Sequence, residues 1–289
     1  MASVMDFTPK EQPQWCPGCG NFGIIMALRA ALSKIGAETH TTVVVSGIGC
    51  SGKDAHYVRT YGYEGLHGRT LPVATGIKLA NANLKVIAMG GDGDGYGIGL
   101  NHVIHSCRRN IDITYIVHNN AIYGLTTGQV SPTSMKGMKT KSTPHGVLEE
   151  PIHPLALAIT SDATFVARTY SGNIPHMTQV FVEAIQHKGF ALVDVLQICP
   201  SWNRVNTAEW YKPRIYDLNA KGHDTTNKIM AYEKALEDVS SNYERIPIGI
   251  FYKVIKPTYE DGLPQRKEKE IVDQDIHNID MTRTLSKFE

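Results

Sequence analysis

The sequence has no long apolar stretch and almost no net charge. No run approaches the roughly 20 apolar residues that a membrane span needs, and residues 1–13 lack the apolar core of a secretory signal. The 29 Lys and Arg residues against 28 Asp and Glu leave a formal charge of +1, so neither nucleic acid nor an anionic membrane is expected as the main partner. We therefore predict a cytoplasmic protein with no membrane or nucleic-acid partner.

The chain also lacks the cysteine and histidine patterns of several common sites. Its five cysteines are odd in number, and without a signal peptide this argues against a disulfide framework. There is a single CxxC pair, Cys16 and Cys19, and no HxxxH or HExxH pattern that would predict a further metal site. Metal or redox chemistry is therefore the first interpretation of the cysteines.

What the chain does contain is an alternation of short apolar runs and amphipathic segments. Strands are predicted over 41–45, 85–89, 113–117, 165–170, 190–198 and 248–254, and helices over 24–35, 73–81, 98–106, 154–162, 174–187 and 226–239, with Asn21 as a helix cap and loops over 57–65 and 136–150. This predicts an α/β fold with a mostly parallel sheet flanked by helices. We expect residues 1–203 to form that domain. Residues 204–289, where the alternation fades, are expected to form a less regular extension that packs on the domain or on a partner subunit.

Two polar clusters follow neighbouring strands of this pattern. Gly91-Asp92-Gly93 follows the strand predicted over 85–89, and Asn119-Asn120 follows the next strand, predicted over 113–117, with 25 residues between Gly93 and Asn119. Because a right-handed βαβ unit brings both strand ends to one edge of the sheet, we expect these side chains to meet there. Carboxylate and amide oxygens are the ligands that Mg²⁺ prefers, and the glycines let the backbone approach a phosphate closely.

Four cysteines are predicted at the same edge. Cys16 and Cys19 precede a helix, whereas Cys50 and Cys199 each follow a strand. Four converging thiolates suit either a structural zinc ion or an iron–sulfur cluster, and the single CxxC pair favours the cluster. Cys107, inside a predicted helix, is interpreted as a buried structural thiol.

The Gly91-Asp92-Gly93 and Asn119-Asn120 pair resembles the fingerprint of thiamine-diphosphate enzymes. The resemblance implies that Asp92, Asn120 and the carbonyl of Ile122 bind the Mg²⁺ that holds the diphosphate. Four further stretches occur in order with it: Trp15-Cys16-Pro17-Gly18-Cys19-Gly20, Gly47-Ile48-Gly49-Cys50, Leu66-His67-Gly68-Arg69 and Ile198-Cys199-Pro200. Together they resemble the beta subunit of a 2-oxoacid:ferredoxin oxidoreductase, and more the group that uses 2-oxoglutarate than the group that uses pyruvate.

The resemblance, carried over residue by residue, implies a site. Cys16, Cys19, Cys50 and Cys199 would hold a [4Fe–4S] cluster. Apart from the resemblance, Lys53 lies three residues after Cys50 and is a candidate to bind the substrate carboxylate, the alternative being a solvated surface lysine. Leu125 and Thr127 lie just past the Asn pair and are expected to line the substrate entrance, the alternative being ordinary loop packing. The residues implied in cofactor binding are Gly18, Cys19, Gly49, His67, Gly91, Asp92, Gly93, Asp94, Asn120, Ile122 and Gly124.

The implied reaction is oxidative decarboxylation of a 2-oxoacid to an acyl-coenzyme A and CO₂, or its reverse. Electrons would pass through the cluster to ferredoxin. An alpha subunit is expected as partner, because no glutamate here is placed to activate the thiamine ring. One alternative is a non-redox thiamine-dependent decarboxylase with zinc-bound cysteines. Another is a non-catalytic scaffold subunit, against which the intact Asp92 and Asn120 argue.

Overall fold

The computed structural model describes residues 2–266, 269–275, 277 and 280–288. The strands are β1 (Thr42–Ser46), β2 (Tyr61–Glu64), β3 (Lys85–Gly91), β4 (Thr114–Asn119), β5 (Phe165–Tyr170), β6 (Ala191–Leu196), β7 (Ile215–Asp217) and β8 (Ile246–Lys253). The helices are α1 (Asn21–Lys34), α2 (Asp54–Tyr57), α3 (Thr70–Ala80), α4 (Leu100–Arg109), α5 (Pro154–Thr160), α6 (Ile174–Gln186), α7 (Ala208–Tyr211), α8 (Lys228–Ala235), α9 (Glu237–Ser240) and α10 (Thr282–Leu285). None of these helices is both long and apolar enough to cross a membrane.

All eight strands belong to one sheet, in the order β2-β1-β3-β4-β6-β5-β8-β7. Every neighbouring pair is parallel except β5 and β8, which run antiparallel. The central strands β1, β4 and β6 are buried along their whole length, as strands covered on both faces must be. The predicted α/β fold with a mostly parallel sheet is confirmed.

Two apolar layers cover the sheet. On one face α1 and α6 pack together and bury side chains such as Leu28 and Phe181. On the other face α3, α4 and α5 cover the strands and bury Leu71, Val103 and Leu155. Both layers are continuous, so the sheet forms a rigid platform whose edge carries the loops.

Two local predictions are wrong, and one short strand was not predicted. Residues 61–64, predicted as loop, form strand β2 at the sheet edge; Tyr61 and Tyr63 are exposed, so the segment lacks the apolar alternation that would reveal it. The three-residue strand β7 was not predicted for the same reason, since it is only half-buried. Asn21 does not cap α1: it is the first helical residue, and its side chain turns to His118.

The chain beyond residue 204 continues the same sheet. Strand β8 pairs with β5 on one side and β7 on the other, and α8 packs against α5. Glu260 then reaches back to accept a hydrogen bond from the backbone N–H of Asp112 at 2.9 Å. Within its described residues, this part of the chain therefore supplies two strands, β7 and β8, of the sheet that residues 1–203 begin.

Candidate active site

The carboxyl ends of β1, β3, β4 and β6 lie side by side, because these four strands are neighbours and parallel. A cavity opens at this edge, between the loops that follow the strands. The residues that line it are Ile48, Gly49, Cys50, Ser51, His67, Gly91, Asp92, Gly93, Asp94, His118, Asn120, Ile122, Tyr123, Gly124, Leu125, Thr126 and Gln197. Open α/β sheets bind ligands at such an edge.

Asp92 is the buried acid of this cavity. Its Oδ2 accepts hydrogen bonds from Ser131 Oγ at 2.5 Å and from Thr133 Oγ1 at 2.7 Å. Burial raises the pKa of Asp92 to about 6, although both hydroxyls favour the ionised form. A carboxylate held this way, with no ion-pair partner among the residues that the structure describes, is suited to a divalent ion.

The two asparagines after β4 have different partners. Asn119 donates to Asp194 Oδ1 at 3.1 Å, and its Oδ1 lies 2.8 Å from Thr133 Oγ1, whose one proton it shares with Asp92, so both ends of its amide are used within the protein. Asn120 accepts a hydrogen bond from the backbone N–H of Ile122 at 3.1 Å and donates to Gln197 Oε1 at 2.8 Å. Because a carbonyl oxygen has two lone pairs, Asn120 Oδ1 can still coordinate a metal ion.

Asp94 holds the neighbouring loops in place. Its Oδ1 accepts from the backbone N–H of Ile48 at 3.0 Å and of Gly68 at 2.8 Å, and it lies 3.0 Å from His67 Nδ1. Its Oδ2 accepts from Thr70 Oγ1. These bonds tie the loop after β1 to the N-terminus of α3, so Asp94 holds these two segments of the cavity wall in position.

Two glycines make this wall compact. A Cβ on Gly93 would lie 2.2 Å from the ring of Tyr123, whose hydroxyl donates to the Gly93 carbonyl. Gly49 has a φ of +119°, a conformation that only glycine adopts without strain. A side chain at either position would displace the loops that line the cavity.

The predicted cysteines converge beside the same cavity. A Cβ placed on Gly124 would lie 3.6 Å from Cys199 Sγ and 3.7 Å from Cys50 Sγ. Cys19 Sγ accepts a hydrogen bond from Gln197 Nε2 at 3.3 Å. Burial raises the pKa of Cys19 to about 12 and that of Cys50 to about 11, and the neighbouring cysteines, Cys16 among them, add to both shifts.

The spacing of these sulfurs is relevant to whether they would bind a single zinc ion or an iron–sulfur cluster. Among the described residues, no three His, Cys, Asp or Glu side chains are close enough to hold one metal ion. Four thiolates around a single zinc ion must approach one centre at about 2.3 Å, whereas a cubane cluster binds each thiolate at a different iron. Cys107 is apart from the group, buried in the layer under α4.

The other predicted residues lie around the cavity mouth. Leu125 lines it and is 57% exposed. Thr127 is exposed with a φ of +73°, and its neighbour Thr126 lines the cavity instead. Lys53 does not line the cavity; it is half-exposed, with Nζ 3.6 Å from Glu64 Oε2. Gly18 (φ +79°) turns the loop between Cys16 and Cys19 and faces Pro200.

Comparison with known proteins is consistent with this geometry. Residues 39–195 match the family described as thiamine pyrophosphate enzyme, C-terminal TPP binding domain, and residues 199–268 match the family of the C-terminal part of the pyruvate ferredoxin oxidoreductase beta chain. The chain is 48% identical over 270 residues to a 2-oxoacid:ferredoxin oxidoreductase subunit beta from Sulfolobus, covering 89% of this chain and 87% of the relative. The chain belongs to the 2-oxoacid:ferredoxin oxidoreductase beta-subunit family.

Two further members of that family bear on its 2-oxoglutarate branch. The 2-oxoglutarate oxidoreductase subunit KorB of Mycobacterium tuberculosis is 38% identical, covering 89% of this chain and 79% of that protein. A solved 2-oxoglutarate:ferredoxin oxidoreductase from Magnetococcus marinus, with 2-oxoglutarate, coenzyme A and succinyl-CoA bound, superposes with a TM-score of 0.91 at 34% identity. That match covers all of this chain and 96% of the solved chain.

Three residues of this beta subunit's site were missed from the sequence. Ser131 and Thr133, which hold Asp92, lie in a polar segment whose position depends on how a long loop folds back. Gln197 contacts both Asn120 and Cys19. Its signal was present, because it precedes Ile198-Cys199-Pro200 at the end of a predicted strand.

Behind the cavity, a fully buried polar contact joins three site segments. His118 Nδ1 lies 2.9 Å from Asn21 Oδ1, and Nε2 lies 3.1 Å from Asp54 Oδ2. The Nε2–Oδ2 contact lacks hydrogen-bond geometry, and both atoms are without any other partner among the described residues. Burial raises the pKa of Asp54 well above its usual range and lowers that of His118 to about 3, so burial disfavours the charged form of both groups. The contact ties the segments that carry Cys19, Cys50 and Asn120.

Proposed function

We propose that this beta subunit binds thiamine diphosphate, Mg²⁺ and a [4Fe–4S] cluster in an enzyme that oxidatively decarboxylates a 2-oxoacid, or runs the reverse carboxylation. The substrate is 2-oxoglutarate, coenzyme A receives the acyl group, and ferredoxin receives the electrons. The site is completed by an alpha subunit. The observation that carries the proposal is the convergence of Cys19, Cys50 and Cys199 beside the cavity that holds Asp92 and Asn120.

The residues fit these groups. Asp92, Asn120 and Ile122 all line the cavity, so the two side-chain oxygens and the Ile122 carbonyl would supply hard ligands of the kind that Mg²⁺ prefers. Gly91 is open on the cavity side, since a Cβ there would have only Ser51 and a distant carbonyl within 4 Å, so a phosphate can approach the backbone. When bound, thiamine diphosphate supplies the carbon that attacks the 2-oxo group and accepts the electrons released with CO₂.

The protein's part is to bind, orient and exclude water. Ser131 and Thr133 fix the Asp92 carboxylate, and Asp94 fixes the two loops that cover the cavity. Apolar and aromatic side chains at the mouth, Tyr123 and Leu125, limit water near the reacting carbon.

The cluster is tested by metal analysis of the alpha–beta complex purified without oxygen. We expect about four iron atoms and four sulfides per beta chain, and loss of both in Cys199→Ser. Cys107→Ser is the matched control, because Cys107 is also buried but lies away from the group, and it should retain its iron. One zinc per chain with no iron would instead support the non-redox decarboxylase.

Substrate choice is tested at Lys53. A lysine that pairs with the second carboxylate of 2-oxoglutarate should, when changed to Met, raise KM for 2-oxoglutarate about tenfold or more and leave KM for pyruvate nearly unchanged. Lys136→Met is the control, since Lys136 pairs with Glu150 on the exposed loop. An equal change for both substrates would show that Lys53 does not read the second carboxylate.

A further inference from the structure

Gln197 is a buried side chain that touches both halves of the site. It is 1% exposed, accepts a hydrogen bond from Asn120 Nδ2 at 2.8 Å, and donates from Nε2 to Cys19 Sγ at 3.3 Å. It therefore forms a direct link between a proposed Mg²⁺ ligand and a proposed cluster ligand.

The direction of this chain of hydrogen bonds is set by the backbone. The N–H of Ile122 can only donate, so it fixes Asn120 with Oδ1 toward Ile122 and Nδ2 toward Gln197. Gln197 must then present Oε1 to Asn120, which leaves its N–H groups for Cys19. The amide orientation thus follows from a main-chain donor and does not depend on a choice between equivalent flips.

We propose that Gln197 is a positioning residue that couples the metal–diphosphate site to the reduction potential of the cluster. The inference rests on the function proposed above. An N–H···S bond stabilises negative charge on a cluster ligand, and because the reduced cluster carries more negative charge, the bond raises the reduction potential. A cation at Asn120 Oδ1 polarises that amide, strengthens its bond to Gln197 and, through Gln197, the bond to Cys19.

The proposed coupling between cofactor binding and cluster reduction predicts the direction of the potential shift, and it is reciprocal. Binding of Mg²⁺ and thiamine diphosphate should raise the potential of the cluster, and reduction of the cluster should tighten binding of the pair by the same factor. We expect a factor of about two to ten, which corresponds to about 18 to 59 mV for one electron. The site would then favour electron arrival at the cluster when the cofactor is in place.

The test compares two buried amides that both contact Asn120. Gln197→Glu keeps an acceptor for Asn120 and removes the donor to Cys19. Asn203→Asp is its matched control: the Asn203 side chain donates to the Asn120 carbonyl at 2.8 Å and has no hydrogen bond to a cysteine among the described residues, its backbone N–H donates to the Cys199 carbonyl in either variant, and the position receives the same change of charge. The measurement is the midpoint potential of the cluster in the alpha–beta complex, by electron paramagnetic resonance, with and without Mg²⁺ and thiamine diphosphate.

We expect Gln197→Glu to lower the potential more than Asn203→Asp and to lose the shift that the cofactor produces in the wild type. Where Gln197→Glu does not retain its cluster, Gln197→Met, which adds no charge, takes its place against wild type. Equal potentials in the two carboxylate variants, or a cofactor-induced shift that survives without Gln197, would overturn the inference. A wild-type complex without any cluster would instead refute the proposed function.

Discussion

The substitution Asp92→Asn should stabilise the protein when Mg²⁺ and thiamine diphosphate are absent, and it should leave the protein less stable than the wild type when both are bound. In the ligand-free chain, burial raises the pKa of Asp92 from its usual 3.8 to about 6. A raised carboxyl pKa means that the folded state holds a proton that the unfolded state has released. Stability is therefore greatest at low pH and falls as pH rises through about 6, with a total loss of about 3 kcal/mol by pH 8.

Asn carries no charge, and its Oδ1 can accept from Ser131 and Thr133 as Asp92 Oδ2 does. Without ligands at pH 8, Asp92→Asn should raise the free energy of unfolding by up to about 3 kcal/mol, on the order of 5 °C or more in Tm. At pH 5 the difference should fall to about half of that.

With both ligands bound, the wild type should be more stable than Asp92→Asn. Mg²⁺ and thiamine diphosphate at about 1,000 times their Kd stabilise the wild type by about 4 kcal/mol, whereas the variant has lost its charged metal ligand. The assay is urea unfolding of the chain at pH 5 and pH 8, with and without both ligands. A pH-independent difference, or equal stabilisation of both proteins by the ligands, would refute the reasoning.

Two further outcomes follow from buried charges away from the cavity. Arg168→Met should lower the free energy of unfolding by about 3–5 kcal/mol, because Arg168 is buried and pairs with Asp194 at 3.3 Å and with Asp238 at 2.8 Å. A loss below about 1 kcal/mol in urea unfolding would contradict this. Burial lowers the pKa of His187 to about 4, so the unfolded chain binds a proton that the folded chain does not, and stability is lost as pH falls from 6.5 toward 4. His187→Gln, whose side-chain amide can keep the contact with Thr164 Oγ1 as donor or acceptor, should remove about 2 kcal/mol of that decline at pH 5; identical declines in both proteins would exclude His187 as its source.

The sheet and the edge that carries the site could be predicted because their signals are local. Asp92 and Asn120 each follow an apolar strand, and a parallel βαβ unit leaves one place for them to meet. Strand β2 could not be predicted, since an exposed edge strand needs no apolar alternation. Ser131 could not be given a role, because its contact depends on how a long loop folds back. Gln197 could be placed near Cys199 from the sequence, but its contact with Asn120 depends on the register of β4 against β6.

The roles of Lys53 and Thr127 remain predictions. Lys53 lies outside the cavity wall and pairs with Glu64, and Thr127 is exposed beside Thr126, which lines the cavity. Both roles were predicted from position along the chain alone, Lys53 from its distance to Cys50 and Thr127 from its place after Asn120, and sequence distance does not fix where a loop side chain points. The KM comparison at Lys53 separates a substrate-binding lysine from a solvated one.

The order of the strands also has a consequence for biosynthesis. Cys16 and Cys19 leave the ribosome early, whereas Cys199 follows β6, which lies between β4 and β5 and emerges after both. The four thiols therefore cannot come together until β6 and Cys199 have been synthesised, by which point six of the eight strands have left the ribosome. A cluster that needs all four thiols could therefore be inserted only after Cys199 has been synthesised. A chain truncated before Cys199 would lack one of the four ligands.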